Sequence, residues 1–100
     1  MTTLTSKQRK YLKSCAHGLK PVIQIGKAGL TKEVLESIAK GLASHELMKI
    51  KFIAFKEEKQ DFIEPILEHT GAAHVSTIGH ILTLYREAEE AEARKFKLPK

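Results

Sequence analysis

The chain has 100 residues, 42% of them apolar and 29% charged, which suits one ordinary globular core and excludes fibrous, disordered and two-domain arrangements. Its single cysteine, Cys15, excludes an intramolecular disulfide and a cysteine-based zinc site, and no run of about 18 apolar residues offers a bilayer span. The net charge of +5 is uneven: residues 1–56 hold 11 Lys/Arg against three Glu, residues 57–100 six against nine acids, and the first 30 residues hold no acid at all. A polyanionic partner explains such a basic half most simply. The opening Met1–Lys7 lacks the apolar run of a signal peptide, so a cytoplasmic protein is expected.

Thr5-Ser6-Lys7-Gln8 has the form of a capping box and predicts a helix to about Gly18. At about 100° per residue that helix separates an apolar side, with Tyr11, Leu12, Cys15 and Ala16, from a basic side with Arg9, Lys10 and Lys13. Val22-Ile23-Gln24-Ile25, bounded by Pro21 and Gly26, predicts a short buried strand. The Gly26-Lys27-Ala28-Gly29 loop follows, and Thr31 is placed to cap a second helix to about Ser44. Alternation over Met48–Phe55 predicts a strand with one apolar and one mixed face. Phe62, Ile63, Ile66 and Leu67 have helical spacing up to Gly71, with Pro65 expected to delay or kink that helix. Val75–Ile78 and Ile81–Arg86 read as strands meeting at Gly79-His80. The predicted order is α-β-α-β-α-β-β over residues 1–86, an α/β domain with a mixed sheet. Residues 87–100 form a charged tail whose run from Glu87 is helix-prone but lacks an apolar stripe and is expected to be solvated or frayed, with Phe96 and Leu98 as candidates to dock at no assigned place.

The glycine loop carries the strongest chemical signal. Glycines let backbone N–H groups approach a phosphate, the following helix start adds positive potential, and Lys27 and Lys32 add formal charge. The spacing is neither that of a Walker loop nor that of a dinucleotide fingerprint, so no mononucleotide cofactor is expected. A Gly-x-x-Gly turn with a basic insert resembles the backbone clamp of KH-type RNA binders, although two glycines at this spacing also make a plain turn. No Glu interleaves with the lysines before Glu33, unlike an exposed helix patterned for solubility. The five histidines show no metal-ligand spacing, and no nucleophile or tuned carboxylate pair stands out, so no catalytic residue, metal or small-molecule substrate is assigned. Tyr11, Phe52, Phe55 and Tyr85 are candidates for base stacking, but aromatics at these spacings more often fill a core.

Taken together, Leu4-Thr5-Ser6-Lys7-Gln8, Ala16-His17-Gly18-Leu19-Lys20-Pro21-Val22 and Gly26-Lys27-Ala28-Gly29-Leu30-Thr31 resemble the CRM domain (chloroplast RNA splicing and ribosome maturation). The resemblance is especially to its stand-alone bacterial YhbY-type members. His45–Lys51, Thr70-Gly71-Ala72, Ile78-Gly79 and Leu84-Tyr85-Arg86 match its later signatures, so the resemblance spans residues 4–86. It departs at Glu87, where the family often has proline, and in the acidic segment that follows. The resemblance implies a four-stranded mixed sheet similar to the C-terminal domain of translation initiation factor three. It further implies RNA binding through Gly26–Gly29 and association with large ribosomal subunit precursors. The expectation is a monomeric, non-catalytic rRNA-binding assembly factor that reads RNA shape. Gly26, Lys27, Ala28, Gly29, Lys32, Arg9, Lys13, Lys20, Lys49 and Lys51 are its candidate RNA-binding residues. The alternative is a protein-interaction module that docks its basic face on an acidic protein.

Overall fold

Thr5 begins the first helix as the capping box requires: Gln8 N–H donates to Thr5 Oγ1 at 3.1 Å, and Thr5 N–H donates to Gln8 Oε1 at 3.0 Å. The computed structural model describes residues 4–99. Helix α1 (Ser6–Ala16) leads to strand β1 (Ile23–Ile25), helix α2 (Lys32–His45), strand β2 (Leu47–Phe52), helix α3 (Lys59–Thr70) and strands β3 (Ala73–Ile78) and β4 (Ile81–Tyr85). This is the expected element order. Thr31 caps α2 by accepting from Val34 N–H at 3.1 Å. Gly71, in the left-handed region at φ 72°, ends α3, its N–H bonded to the Leu67 carbonyl at 2.8 Å.

The four strands lie in the order β1-β2-β4-β3, with β1 parallel to β2 and the other two pairs antiparallel. The mixed sheet is therefore present as expected, and the β3–β4 connection is a two-residue turn, with Ile78 opposite Ile81. Alternation sorts each strand between two cores. Ile25, Met48, Ile50, Phe52, Leu82 and Leu84 pack with Ile38 and Leu42 of α2 and Ile66 of α3. Leu47, Val75 and Tyr85 pack with Leu12 and Ala16 of α1. Helix α1 thus covers the end of the sheet at which β2 begins. The opposite end of that face, with Gln24, Lys51 and Ile81 in register, extends beyond this second core.

Two local expectations differ. The start of helix α3 is not delayed by Pro65: the helix begins at Lys59 and includes Pro65, which is exposed, as is Asp61, whose carbonyl loses its usual helical donor and can turn to water. Strand β2 stops at Phe52 rather than Phe55, because the N–H groups of Ile53 and Ala54 both turn to the Ile25 carbonyl and Phe55 adopts φ 54°.

On β3, half-buried His74 sets its Nε2 2.8 Å from Thr77 Oγ1. Burial first, and then the Arg9 guanidinium, lower its pKa from the ordinary 6.5. The unfolded chain therefore takes up the proton first. His74 costs nothing well above pH 6.5, and stability is lost as the pH falls from there toward the folded value. Urea unfolding on either side of pH 6.5 should show this acid limb in the native chain and a flatter one in His74→Gln.

Candidate nucleic-acid interface

Three connections converge where β1 and β2 end. The Gly26–Gly29 loop leaves β1, the segment 53–58 leaves β2, and the Gly79-His80 turn joins β3 to β4. Backbone hydrogen bonds tie them together: Ile53 and Ala54 donate to the Ile25 carbonyl at 3.0 and 3.2 Å, and Phe52 donates to the His80 carbonyl at 2.8 Å. This end also presents the start of α2, so its unpaired helical N–H groups add positive potential to the same surface.

The glycine loop is a tight turn closed by the Gly29 N–H on the Gly26 carbonyl at 3.0 Å. Lys27 and Ala28 form its exposed tip, and their N–H groups have no hydrogen-bond acceptor among the described residues. Gly29 adopts φ 73°, in the region that disfavours side chains, and an added Cβ would lie 3.6 Å from the Phe55 ring. At the other end of the loop a Cβ on Gly26 would meet Ile53 Cδ1 at 3.7 Å. The loop is therefore held between two apolar side chains that are themselves exposed, Ile53 at 49% and Phe55 at 38%.

Of the expected RNA-binding residues, Gly26, Lys27, Ala28 and Gly29 form the loop and Lys32 opens α2. Lys51 lies near the end of β2, paired with Gln24 and Ile81. Lys49 lies two residues further back, its Nζ donating to the Leu19 carbonyl at 3.1 Å. The other three lie elsewhere. Arg9 reaches the His74 carbonyl on β3, and three strand spacings of about 4.8 Å separate β3 from β1, roughly 14 Å across the sheet. Lys13 is exposed one turn further along α1, and Lys20 shares a shallow groove with His45, Leu47 and Phe96.

The structure adds residues that spacing alone did not indicate. Lys59 Nζ lies 3.3 Å from His80 Nδ1 and donates to the Lys56 carbonyl at 3.1 Å. Desolvation of the ring and then the ammonium groups of Lys59, Lys56 and Lys51 lower the His80 pKa, which reports a concentration of positive charge around the turn. Glu57 and Glu58 share this segment, yet the one ion pair among the described residues, Arg94–Glu87 at 3.4 Å, involves none of these lysines. Of these, Lys56 and Lys51 belong to the acid-poor first half of the chain, whereas Lys59 and His80 lie in the acid-rich second half, where composition gives no signal.

Among the described residues no three His, Cys, Asp or Glu side chains gather into a possible metal site, and no helix is long and apolar enough to cross a membrane. What the arrangement offers chemically is a set of N–H donors and ammonium groups at one end of the sheet, suited to phosphate oxygens.

Comparison with known proteins follows the same line. Residues 4–86 match the model of the CRS1/YhbY (CRM) domain. The chain is 50% identical to an RNA-binding protein of Haemophilus influenzae, across all of this chain and 99% of that one. It is 36% identical to the probable RNA-binding protein YqeI of Bacillus subtilis, over 87% of this chain and 92% of the relative. The solution structure of a hypothetical Staphylococcus aureus protein, described as a candidate RNA binder, superposes with a TM-score of 0.82 at 34% identity, covering 97% of this chain and 100% of that one.

Proposed function

This chain belongs to the CRS1/YhbY (CRM) domain family, and from that premise we propose that it is a non-catalytic RNA-binding protein of the cytoplasm that acts as a monomer on rRNA in precursors of the large ribosomal subunit. The observation that carries the RNA reading is the loop tip: two N–H groups at Lys27 and Ala28 without an acceptor among the described residues, next to a helix start and among lysines that have no carboxylate partner among those residues. Gly26–Gly29 grips the phosphate backbone, Gly29 keeps the turn free of a side chain, and Lys27, Lys32 and Lys51 supply charge at the first contact. Lys56 and Lys59 extend that charge along the same end of the sheet. Lys49, Lys20, Arg9 and Lys13 make outlying contacts with longer RNA. Contacts of this kind position the backbone and respond to RNA shape more than to base sequence.

Two measurements test the reading. In a sucrose gradient of lysate at low salt the protein is expected to co-migrate with large-subunit precursors; a protein that stays at the top refutes the ribosomal assignment. With purified rRNA fragments, contacts to about five phosphates should make log affinity fall against log salt with a slope of roughly −3 to −4. A flat profile removes the electrostatic basis of the proposal, and tight binding to an acidic polypeptide with rRNA ignored would favour a protein partner instead.

A further inference from the structure

The chain has six aromatic residues, Tyr11, Phe52, Phe55, Phe62, Tyr85 and Phe96, and the fold gives them different tasks. Phe52 and Tyr85 are fully buried, while Tyr11, Phe62 and Phe96 are partly buried against the two cores. Phe55 alone is exposed, and its place is not that of a stray surface ring. It follows strand β2 in the left-handed backbone region at φ 54°, which a bulky side chain rarely occupies and which recurs where function over-determines the backbone. Its ring edge rests near Gly29, and one side packs on Phe62, with centroids 5.1 Å apart and planes at 46°. The ring is thereby held still beside the loop tip while 38% of the residue remains open to solvent. Exposed Ile53 flanks the other glycine, and the surroundings are cationic, with Lys27, Lys32, Lys56 and Lys59 contributed by the loop, α2 and the segment leading into α3.

An apolar partner would not seek that charge, and a duplex would offer phosphates but no free base face. The ligand that matches both features carries phosphate and an unstacked aromatic face within one nucleotide. Resting on the RNA reading above, we infer that the interface selects single-stranded RNA, Gly26–Gly29 holding a backbone phosphate while the base of a neighbouring unpaired nucleotide stacks on Phe55. Ile53 lies on the opposite side of the loop and provides apolar contact for a second base. Stacking tolerates any base, so the selection is for unpaired strand rather than for a sequence.

The chain contains no tryptophan, so Phe55→Trp creates a single fluorescent reporter at the platform. An unstructured oligonucleotide is expected to quench it, and a perfectly paired RNA duplex of the same length is expected to leave it nearly unchanged and to bind at least about ten-fold more weakly. Phe55→Ala should weaken single-strand binding about ten-fold without altering its salt slope, since no phosphate contact is lost. Phe55→Leu keeps apolar cover over Phe62 but has no ring, so it should lose nearly as much while remaining as stable as the native chain. Equal affinity for duplex and single strand, or a Phe55→Leu variant that binds single strand like the native chain, overturns the platform while RNA binding itself stands. Absence of salt-dependent binding to either RNA would sink the underlying reading and this inference together.

Discussion

Reversing charge at the loop, in a Lys27→Glu, Lys32→Glu double variant, is expected to lower RNA affinity on the order of 100-fold, taking each lost charge-assisted contact at about 1.5 kcal/mol. The salt slope should become shallower by roughly 1.4, because two phosphate contacts of about 0.7 each disappear. Both lysines are exposed and neither side chain makes a hydrogen bond or ion pair among the described residues, so unfolding by urea should be unchanged. Lys40, exposed further along α2, provides the comparison: Lys40→Glu alters the net charge equally per residue but lies more than two turns along α2 from Lys32, and should cost only a few-fold. Arg9→Glu and Lys13→Glu should fall between these extremes on long rRNA and have little effect on short oligonucleotides, since Arg9 lies at the far edge of the sheet. Fluorescence anisotropy with labelled RNA across a salt series reads all of this. Equal losses at Lys40 and at the loop would mean that the fold's overall charge, and not the loop, binds RNA.

Loss of the Glu46 carboxylate is expected to have the largest effect on stability. Glu46 is only 1% exposed and sits at the end of α2 with φ 61°, its backbone carbonyl accepting from Arg86 N–H at 2.8 Å. Its side chain accepts from two N–H groups of the C-terminal segment, Ala88 at 2.6 Å and Lys95. That clamp lays Phe96 edge-on against buried Tyr85, with centroids 6.4 Å apart, and brings the Pro99 carbonyl to Gln8 Nε2 at 3.0 Å. Burial first, and then the charges of Glu46 and Glu87, push the Tyr85 hydroxyl up to about 12. Glu46→Ala leaves two N–H donors without their acceptor and loosens the apolar cover, a loss of about 2–4 kcal/mol. Glu46→Gly removes the same carboxylate but relieves the left-handed backbone, and should recover roughly 1 kcal/mol of that loss. Chemical denaturation of the three proteins, with hydrogen exchange at Lys95 N–H, checks the order native, Gly, Ala. A Glu46→Ala variant as stable as the native chain would mean that the clamp contributes nothing.

The docked tail shows where reading residues in order reached its end. The run from Glu87 to Glu92 has no apolar stripe, and on that basis solvation was expected. Its acidic side chains are exposed, as expected, yet the segment is anchored through the backbone N–H groups of Ala88 and Lys95, which carry no sequence signature, and through a glutamate more than 40 positions away. Phe96 and Leu98 were visible as apolar residues, but their partners were not, because Tyr85, Leu12 and Leu47 come together only when α1 crosses the sheet. The same holds at the interface. Alternation along the predicted strand put Phe52 on its apolar face and Phe55 on its mixed face, but it gave no reason for Phe55 to lie beside the glycine loop. That placement comes from a backbone that leaves the strand at Ile53 and turns toward the end of β1.

What the sequence determined by itself is everything set by neighbours within a few positions. The Thr5–Gln8 capping box, the Thr31 cap, the glycine turn before α2 and the alternation of β2 each arise from hydrogen bonds or side-chain periods spanning at most a helical turn or a strand. Element order, and with it the α/β class, followed directly. Only the tertiary structure decided which cations share a surface. Lys56, Lys59 and His80 join Lys27, Lys32 and Lys51 because β1, β2 and the β3–β4 turn end together, while Arg9 and Lys20 are carried elsewhere. The physical reason is that Coulomb interactions depend on distance through space, which sheet order and strand register set, whereas local propensity depends on distance along the chain.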